Sequence, residues 1–330
     1  MPSISRIQQQ LSKLFNCQEI LKVEEIQSLW SDYGSIRRFH LGTKPKSIIV
    51  KEIQLPSQKG ASHPRGWNTR ASHRRKLRSY EVEWKWYQEY AARCGPACPI
   101  AECYYSQSEP GSQVLVLEDL DAAGFPLRLE QLELEGLKVC LEWLAHFHAT
   151  FLHEKPKGLW EIGTYWHLAT RQEEWEAMEA SFLKDQAALI DQKLNGAKYQ
   201  TLVHGDAKVA NFCFSESLEK VAAVDFQYVG GGCGMKDVIY LMSSCLTAEE
   251  CEKHEKEILD FYFDRLEQAL SKNIKSVNFS ALEHEWRGLY PFAWADFVRF
   301  LKGWAPEHEK LNFYSENQAK QISSLLKKQG

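Results

Sequence analysis

Apolar residues recur along this chain with two periods, and the dominant period changes near residue 120. Ile7, Leu11, Leu14 and Phe15 return every three to four positions, which predicts helix within residues 1–30. Residues 30–36 read as a turn entering a strand, and residues 47–53 as a second strand stopped by Pro56. Glu83, Trp86, Tyr87 and Tyr90 follow at helical spacing, predicting a helix over residues 79–93 with Gly95-Pro96 as its stop. Two more strands are expected near 101–106 and 113–118. Past Asp121 the helical period takes over: Leu137, Cys140, Leu141, Leu144, Phe147 and His148 trace one face of a long helix. Residues 165–191 read as helix with breaks. Thr201-Leu202-Val203 and Val221-Ala222-Ala223-Val224 are short apolar runs that suit buried strands. Thr247-Ala248-Glu249-Glu250 forms a capping box opening another helix, and two more are expected at 283–304 and 315–328. Strands first and helices later predict an α+β protein, with a small β-rich unit (1–119) set on a larger helical one (120–330).

The 330 residues suffice for two lobes with a cleft between them. A composition of 44% hydrophobic and 25% charged residues is that of an ordinary globular protein, and no apolar run reaches the roughly 18 residues of a spanning helix. A net charge of −4 gives no support for nucleic acid or an anionic membrane as partner. The first residues lack the apolar core of a secretory signal. Nine scattered cysteines, Cys94, Cys98 and Cys103 among them, suit reduced thiols, so a cytoplasmic protein is expected. Residues 57–78 carry seven Lys or Arg and no acid. This reads as a solvated basic insertion, with phosphate steering or partner docking as the competing readings.

The chemistry is concentrated in His204-Gly205-Asp206-Ala207-Lys208-Val209-Ala210-Asn211 and, fourteen residues after Asn211, in Asp225-Phe226-Gln227. A carboxylate, an amide five positions on and a second carboxylate beyond a short hairpin are the working parts of a kinase-type phosphoryl-transfer site. One acid takes the proton of an attacking hydroxyl, and the amide and second acid hold the magnesium that bridges nucleotide phosphates. The apolar runs before each motif would deliver these groups from rigid strands.

In combination these motifs resemble the aminoglycoside phosphotransferase and choline kinase superfamily, and within it the ecdysteroid kinase-like branch, from about Ser31 to Ser244. The resemblance implies a protein-kinase-like two-lobe fold, ATP and Mg2+, and transfer of the γ-phosphate to a hydroxyl of a small molecule. It implies Asp206 as catalytic base and Asn211 and Asp225 as magnesium ligands. Lys51 takes the place of the lysine on the α- and β-phosphates, and Glu83, rather than Glu81 or Glu89, that of its glutamate partner. Residues 114–120 take the place of the hinge, with Glu118 and Leu120 at the adenine. Gly34 and Ser35 correspond to the nucleotide-covering loop, and Lys208 to a lysine on the γ-phosphate. Three departures stand out: the covering loop is glycine-poor, His-Gly-Asp replaces His-Arg-Asp, and no Ala-Pro-Glu segment follows. A nucleotide-binding pseudokinase scaffold and a protein kinase are the rival readings.

His204 and His148 read as scaffold for the catalytic loop. Gly230-Gly231-Gly232-Cys233-Gly234 lacks the spacing of a dinucleotide fingerprint and reads as a loop closing over the metal site, with Asp237 capping the next helix or bonding the catalytic loop. Gln227, Trp166, Trp294 and Asp296 are candidates for the acceptor site. For the tryptophans core packing competes, since Trp294, Phe297, Leu301 and Trp304 share one helical face. An aromatic wall would suit a cationic alcohol or a flat apolar one.

Overall fold

The computed structural model describes residues 4–29, 33–54, 70–273 and 277–327. Its N-terminal region is a five-stranded antiparallel sheet: β1 (Ile20–Ser28), β2 (Gly34–Leu41), β3 (Ser47–Gln54), β4 (Cys103–Glu109) and β5 (Ser112–Glu118), in the order β1-β2-β3-β5-β4. Helix α1 (Ile4–Leu14) covers one face, where Ile7 and Leu11 pack on Phe39, Ile48, Val50, Val114 and Val116. Strand alternation sends Ile49, Lys51 and Ile53 to the other face. There α2 (Arg70–Glu89) lies across the sheet, and Ile53 joins Tyr80 in a small core.

Two expectations change here. Strand β1 falls inside residues read as helical; it is an edge strand with bulges near Lys22 and Glu25–Gln27, so its apolar positions do not keep a clean period of two. Helix α2 begins at Arg70, nine residues before the predicted start, so residues 70–78 of the basic stretch are helix and not a solvated loop. Residues 55–69, the rest of that stretch, lie outside the described residues.

Strand β6 (Leu127–Arg128) leads into α3 (Leu134–Thr150), the long amphipathic helix expected, which is buried from Leu137 to Ala149 on its inner face. The broken helical stretch resolves into α4 (Gln172–Ala177), α5 (Phe182–Asp185) and α6 (Ala187–Asn195). Strands β7 (Thr201–Val203), β8 (Phe212–Phe214) and β9 (Val221–Ala223) follow, with β8 and β9 pairing as a hairpin. The glycine run is not a loop: Gly230–Gly232 forms β10, antiparallel to β7 and buried. A Cβ on Gly230 would stand 2.3 Å from the Trp160 carbonyl, so only glycine lets the segment at 160–163 approach this strand.

Helix α7 (Met235–Cys245) leaves β10, a helix that the sequence left without bounds. Helix α8 (Ala248–Asn273) opens on the capping box: the Thr247 amide donates to Glu250 Oε2 at 2.8 Å, and the Glu250 amide to Thr247 Oγ1 at 3.2 Å. Helices α9 (Phe279–Trp304) and α10 (Phe313–Lys327) complete the chain. The main core runs continuously from α2 through α3 to α9, and no helix of the described residues is long and apolar enough to cross a membrane.

Three side chains are among those that tie α2 to the helical part. Trp86 stacks on Phe226 with ring centroids 4.6 Å apart, Arg75 donates to the Thr170 carbonyl at 2.6 Å, and Arg78 donates to the Gly158 and Leu159 carbonyls at 3.0 Å.

Candidate active site

The loop between β7 and β8 carries Asp206, Lys208 and Asn211, and its shape is fixed from below. The Asp237 carboxylate, at the start of α7, accepts the backbone N–H of His204 at 2.6 Å and of Gly205 at 2.9 Å. His148 of α3 sits within 3.1 Å of the same carboxylate, and its other ring nitrogen meets the Tyr262 hydroxyl at 2.7 Å. Both histidine readings therefore agree with the geometry, and of the two roles weighed for Asp237 the loop bond is the one seen. His204 Nδ1 accepts from the Asp206 amide at 3.3 Å while Nε2 donates to the Val224 carbonyl at 3.0 Å. Those partners demand the neutral Nε2–H tautomer, a bracing role. Gly205 has φ +79°, and a Cβ there would stand 2.1 Å from the Tyr228 carbonyl, which explains why glycine replaces arginine before the aspartate.

Asn211 Nδ2 donates to the Asp206 carbonyl at 2.8 Å and to Asp206 Oδ2 at 3.0 Å, which turns its amide oxygen away from Asp206. Val224 is pinned to the same loop, its N–H donating to the Asn211 carbonyl at 3.0 Å. The next residue, Asp225, adopts the left-handed conformation (φ 69°, ψ 63°), strain of the kind that structures retain at functional sites. Its Oδ1 is buried with no hydrogen-bond partner. An orphaned carboxylate oxygen and a free amide oxygen are hard donors that fit a magnesium ion. Among the described residues no group of three His, Cys, Asp or Glu could hold a metal, so water or phosphate oxygens would complete such a shell.

Burial pushes the Asp206 carboxyl up, and the Asp225 charge adds to this against the pull of Lys208, whose Nζ is 3.2 Å away. Burial acts the same way on Asp225, but Lys51, Lys76 and Lys208 outweigh it and hold this carboxyl below its ordinary range. Two neighbouring acids are thus driven apart: one stays ionised, the other holds its proton more tightly.

From the sheet, Lys51 Nζ reaches Glu83 Oε2 at 2.5 Å, both residues buried. Glu81 is exposed and pairs with Arg78, so the choice among the α2 glutamates falls on Glu83. Gln227 Nε2 donates to the same Glu83 oxygen at 3.3 Å, and its Oε1 accepts from Lys76 at 2.9 Å and from Ser79 at 3.3 Å. Its amide is committed to α2, not turned toward an acceptor.

Gly34 and Ser35 begin β2, paired with Ile53 and Glu52 two residues and one residue beyond Lys51. Residues 30–32 of the preceding turn are not among those described. At the end of β5 the Glu118 amide donates to the Glu102 carbonyl at 2.8 Å, and the Leu120 carbonyl accepts from the Phe125 amide at 2.8 Å. Asp119 between them is clamped by Arg38, through Nε at 2.7 Å and a terminal nitrogen at 3.0 Å.

The remaining acceptor candidates, Trp166 in a turn and Trp294 and Asp296 on α9, lie in the core. Trp166 packs on Tyr165, Tyr240 and Phe297, and Trp294 on Tyr290 and Tyr314. Asp296 is buried against Arg299 at 2.7 Å. Other residues, which the sequence gave no reason to choose, act electrostatically with Asp206: Tyr165 and Tyr240, with ring centroids 5.4 Å apart, and Lys310, whose Nζ lies 4.8 Å from the Tyr240 ring. Lys310 sits between α9 and α10, where no periodicity points to it. Lys76 was findable, because it stands seven residues before Glu83 on one helix face.

These strands and helices form a fold similar to that of an aminoglycoside phosphotransferase. The chain spans 97% of its own length and 98% of that of an aminoglycoside 2'-phosphotransferase-IIIa solved as its GDP complex, with 10% identity and a TM-score of 0.50. An aminoglycoside phosphotransferase of Streptomyces rimosus aligns with 12% identity over 86% of this chain and 98% of its own, with a TM-score of 0.44. A Plasmodium vivax ethanolamine kinase aligns with 9% identity over 92% and 83%, at 0.45. In sequence, residues 75–159 and 161–275 match the ecdysteroid kinase-like family, and the chain belongs to that family. No protein with a curated description matches it.

Proposed function

We propose that this protein is a kinase of small molecules that moves the γ-phosphate of ATP to an alcohol. The observation that carries the reading is the convergence of Asp206 and Asn211, 3.0 Å apart, with Asp225 and the Lys51–Glu83 pair in one site. Family membership supports the kinase class. Residues 1–119 would form the nucleotide-binding lobe, and residues 120–330 the helical lobe with the catalytic loop, the metal site and the acceptor site.

Asp206 accepts the proton of the attacking hydroxyl and orients its oxygen. Lys208, 3.2 Å from that carboxylate, steadies the transferring phosphate as well as the base. Lys51, held in place by Glu83, positions the α- and β-phosphates, while Gly34 and Ser35 border them and the backbone at Glu118 and Leu120 meets the adenine edge. A magnesium ion held by Asn211 and Asp225 would offset the charge of the phosphates. The protein supplies alignment and preorganised charge in place of covalent chemistry.

The test is ADP release measured across a panel of alcohols, cationic, sugar-like, steroid-like and aminoglycoside. Turnover that requires a divalent metal and disappears in Asp206→Asn supports the proposal. Nucleotide binding with no turnover on any class would identify a scaffold instead.

A further inference from the structure

Lys76 belongs to the basic stretch that the sequence assigns to solvent, yet α2 carries its ammonium into the site. Residues 76, 80 and 83 share one face of the helix. The Lys76 Nζ donates to Gln227 Oε1 at 2.9 Å and lies 4.7 Å from the centre of the Tyr80 ring. Both partners are uncharged, and no carboxylate among the described residues forms an ion pair with it. Lys51 is different: it has Glu83 at 2.5 Å. The two ammoniums nevertheless lie in each other's field and in that of Asp225, Glu83 and Asp206.

We propose that Lys76 is a second phosphate-binding lysine, which meets the nucleotide's phosphates together with Lys51. The inference rests on the kinase reading and adds to it a cation that α2 supplies directly, beside the glutamate that braces Lys51.

The physical argument concerns charge pairing. Holding two ammoniums near one another is unfavourable, and this half-buried lysine is bonded only to an amide oxygen and an aromatic face, with Asp225, Glu83 and Asp206 acting on it through their fields and none in an ion pair with it. A polyphosphate would supply a direct anionic partner. Lys76 keeps two N–H donors beyond the one given to Gln227, enough for charge-assisted bonds to phosphate oxygens. Gln227 fixes where the ammonium stands, because its amide spans from Lys76 to Glu83, at 2.9 and 3.3 Å. The first helical face of the basic stretch therefore has a use that its composition alone conceals.

The experiment is calorimetric titration of wild type, Lys76→Met, Lys76→Arg and Gln227→Leu with ATP, ADP and adenosine. Loss of a charge-assisted contact predicts that Lys76→Met weakens ATP and ADP roughly 10- to 100-fold. Adenosine binding stays within about twofold, and Lys76→Arg recovers most of the loss. If Lys76 only braced the helix, adenosine would weaken along with ATP, and that result overturns the inference; Gln227→Leu, which frees the ammonium, should weaken ATP and ADP but not adenosine. Equal ATP affinity in wild type and Lys76→Met also overturns it and leaves the kinase reading standing. Wild-type protein that binds none of the three ligands removes both.

Discussion

Asp237 Oδ1 accepts the Gly205 amide at 2.9 Å, so the residue before Asp206 hangs from the first turn of α7. The same buried carboxylate holds the His204 amide at 2.6 Å and faces His148 at 3.1 Å. Replacing Asp237 by Ala strands two backbone donors and a histidine in the interior. The expected destabilisation is about 3–5 kcal/mol, the range for breaking a buried charged partnership. Urea unfolding of the variant checks this, and a loss under about 1 kcal/mol would reject it.

The base itself gives a kinetic prediction. Asp206→Asn keeps the hydrogen-bond frame but cannot accept the hydroxyl proton, so turnover falls at least about a hundredfold while ATP still binds. Burial holds the Asp206 carboxyl above its ordinary range, and Lys208 works against that rise. Activity should therefore fall on the acid side at a higher pH than a free aspartate would give. Lys208→Met, which removes a cation that favours the ionised base, moves this limb to higher pH still. A limb that stays put or moves down contradicts the assignment.

Glu83→Ala takes away the 2.5 Å partner of Lys51 and also releases Gln227. Nucleotide affinity should drop roughly 10- to 100-fold, the value of one charge-assisted bond. Glu81→Ala, on the exposed face of the same helix, should change it less than about twofold. Titration of both variants with ATP gives the comparison.

Gly205→Ala places a methyl group 2.1 Å from the Tyr228 carbonyl at a φ of +79°. The loop must shift to admit it, with strain of about 1–3 kcal/mol. Thermal melting should register that loss, and turnover should fall with it because Asp206 is the next residue. A fully active, equally stable variant would contradict the geometry.

Lys310 supplies a pH test of stability. Burial pushes its ammonium down from the ordinary 10.5 to about 8. Below that pH both folded and unfolded chains carry the proton. Between about 8 and 10.5 the unfolded chain binds a proton that the folded one has released, so unfolding free energy rises with pH. Lys310→Met lacks this contribution. Wild type should gain stability relative to the variant from pH 8 to pH 10 in parallel denaturation series, and a flat difference rejects the shift.

Much of the candidate site's geometry was legible because it is written in short, local patterns. Asp206, Asn211 and Asp225 sit at fixed offsets behind apolar strands, and Lys51 lies in an apolar strand of its own. Glu83 needed only a helical wheel. The acceptor side was not legible. Trp294 and Asp296 share helical spacing with core residues, Trp166 lies in a turn with no pattern of its own, and burial claims all three. Tyr165 and Tyr240, from segments some forty residues before Asp206 and thirty after, pack on each other and act on its charge, a proximity created by tertiary packing alone. Strand β1 was missed for a different reason: its bulges break the alternation, and its charges pair across the edge with Arg37 and Arg38 instead of marking a surface loop. The glycine run misled because closeness to the Trp160 backbone, not conformational freedom, is what it serves.

The three ties that fasten α2 to the helical part have a further meaning. A swing of that helix would have to unstack Trp86 from Phe226 and strip Arg75 and Arg78 of their carbonyl acceptors together. Such fastening holds Glu83 beside Lys51 as part of the same packed body.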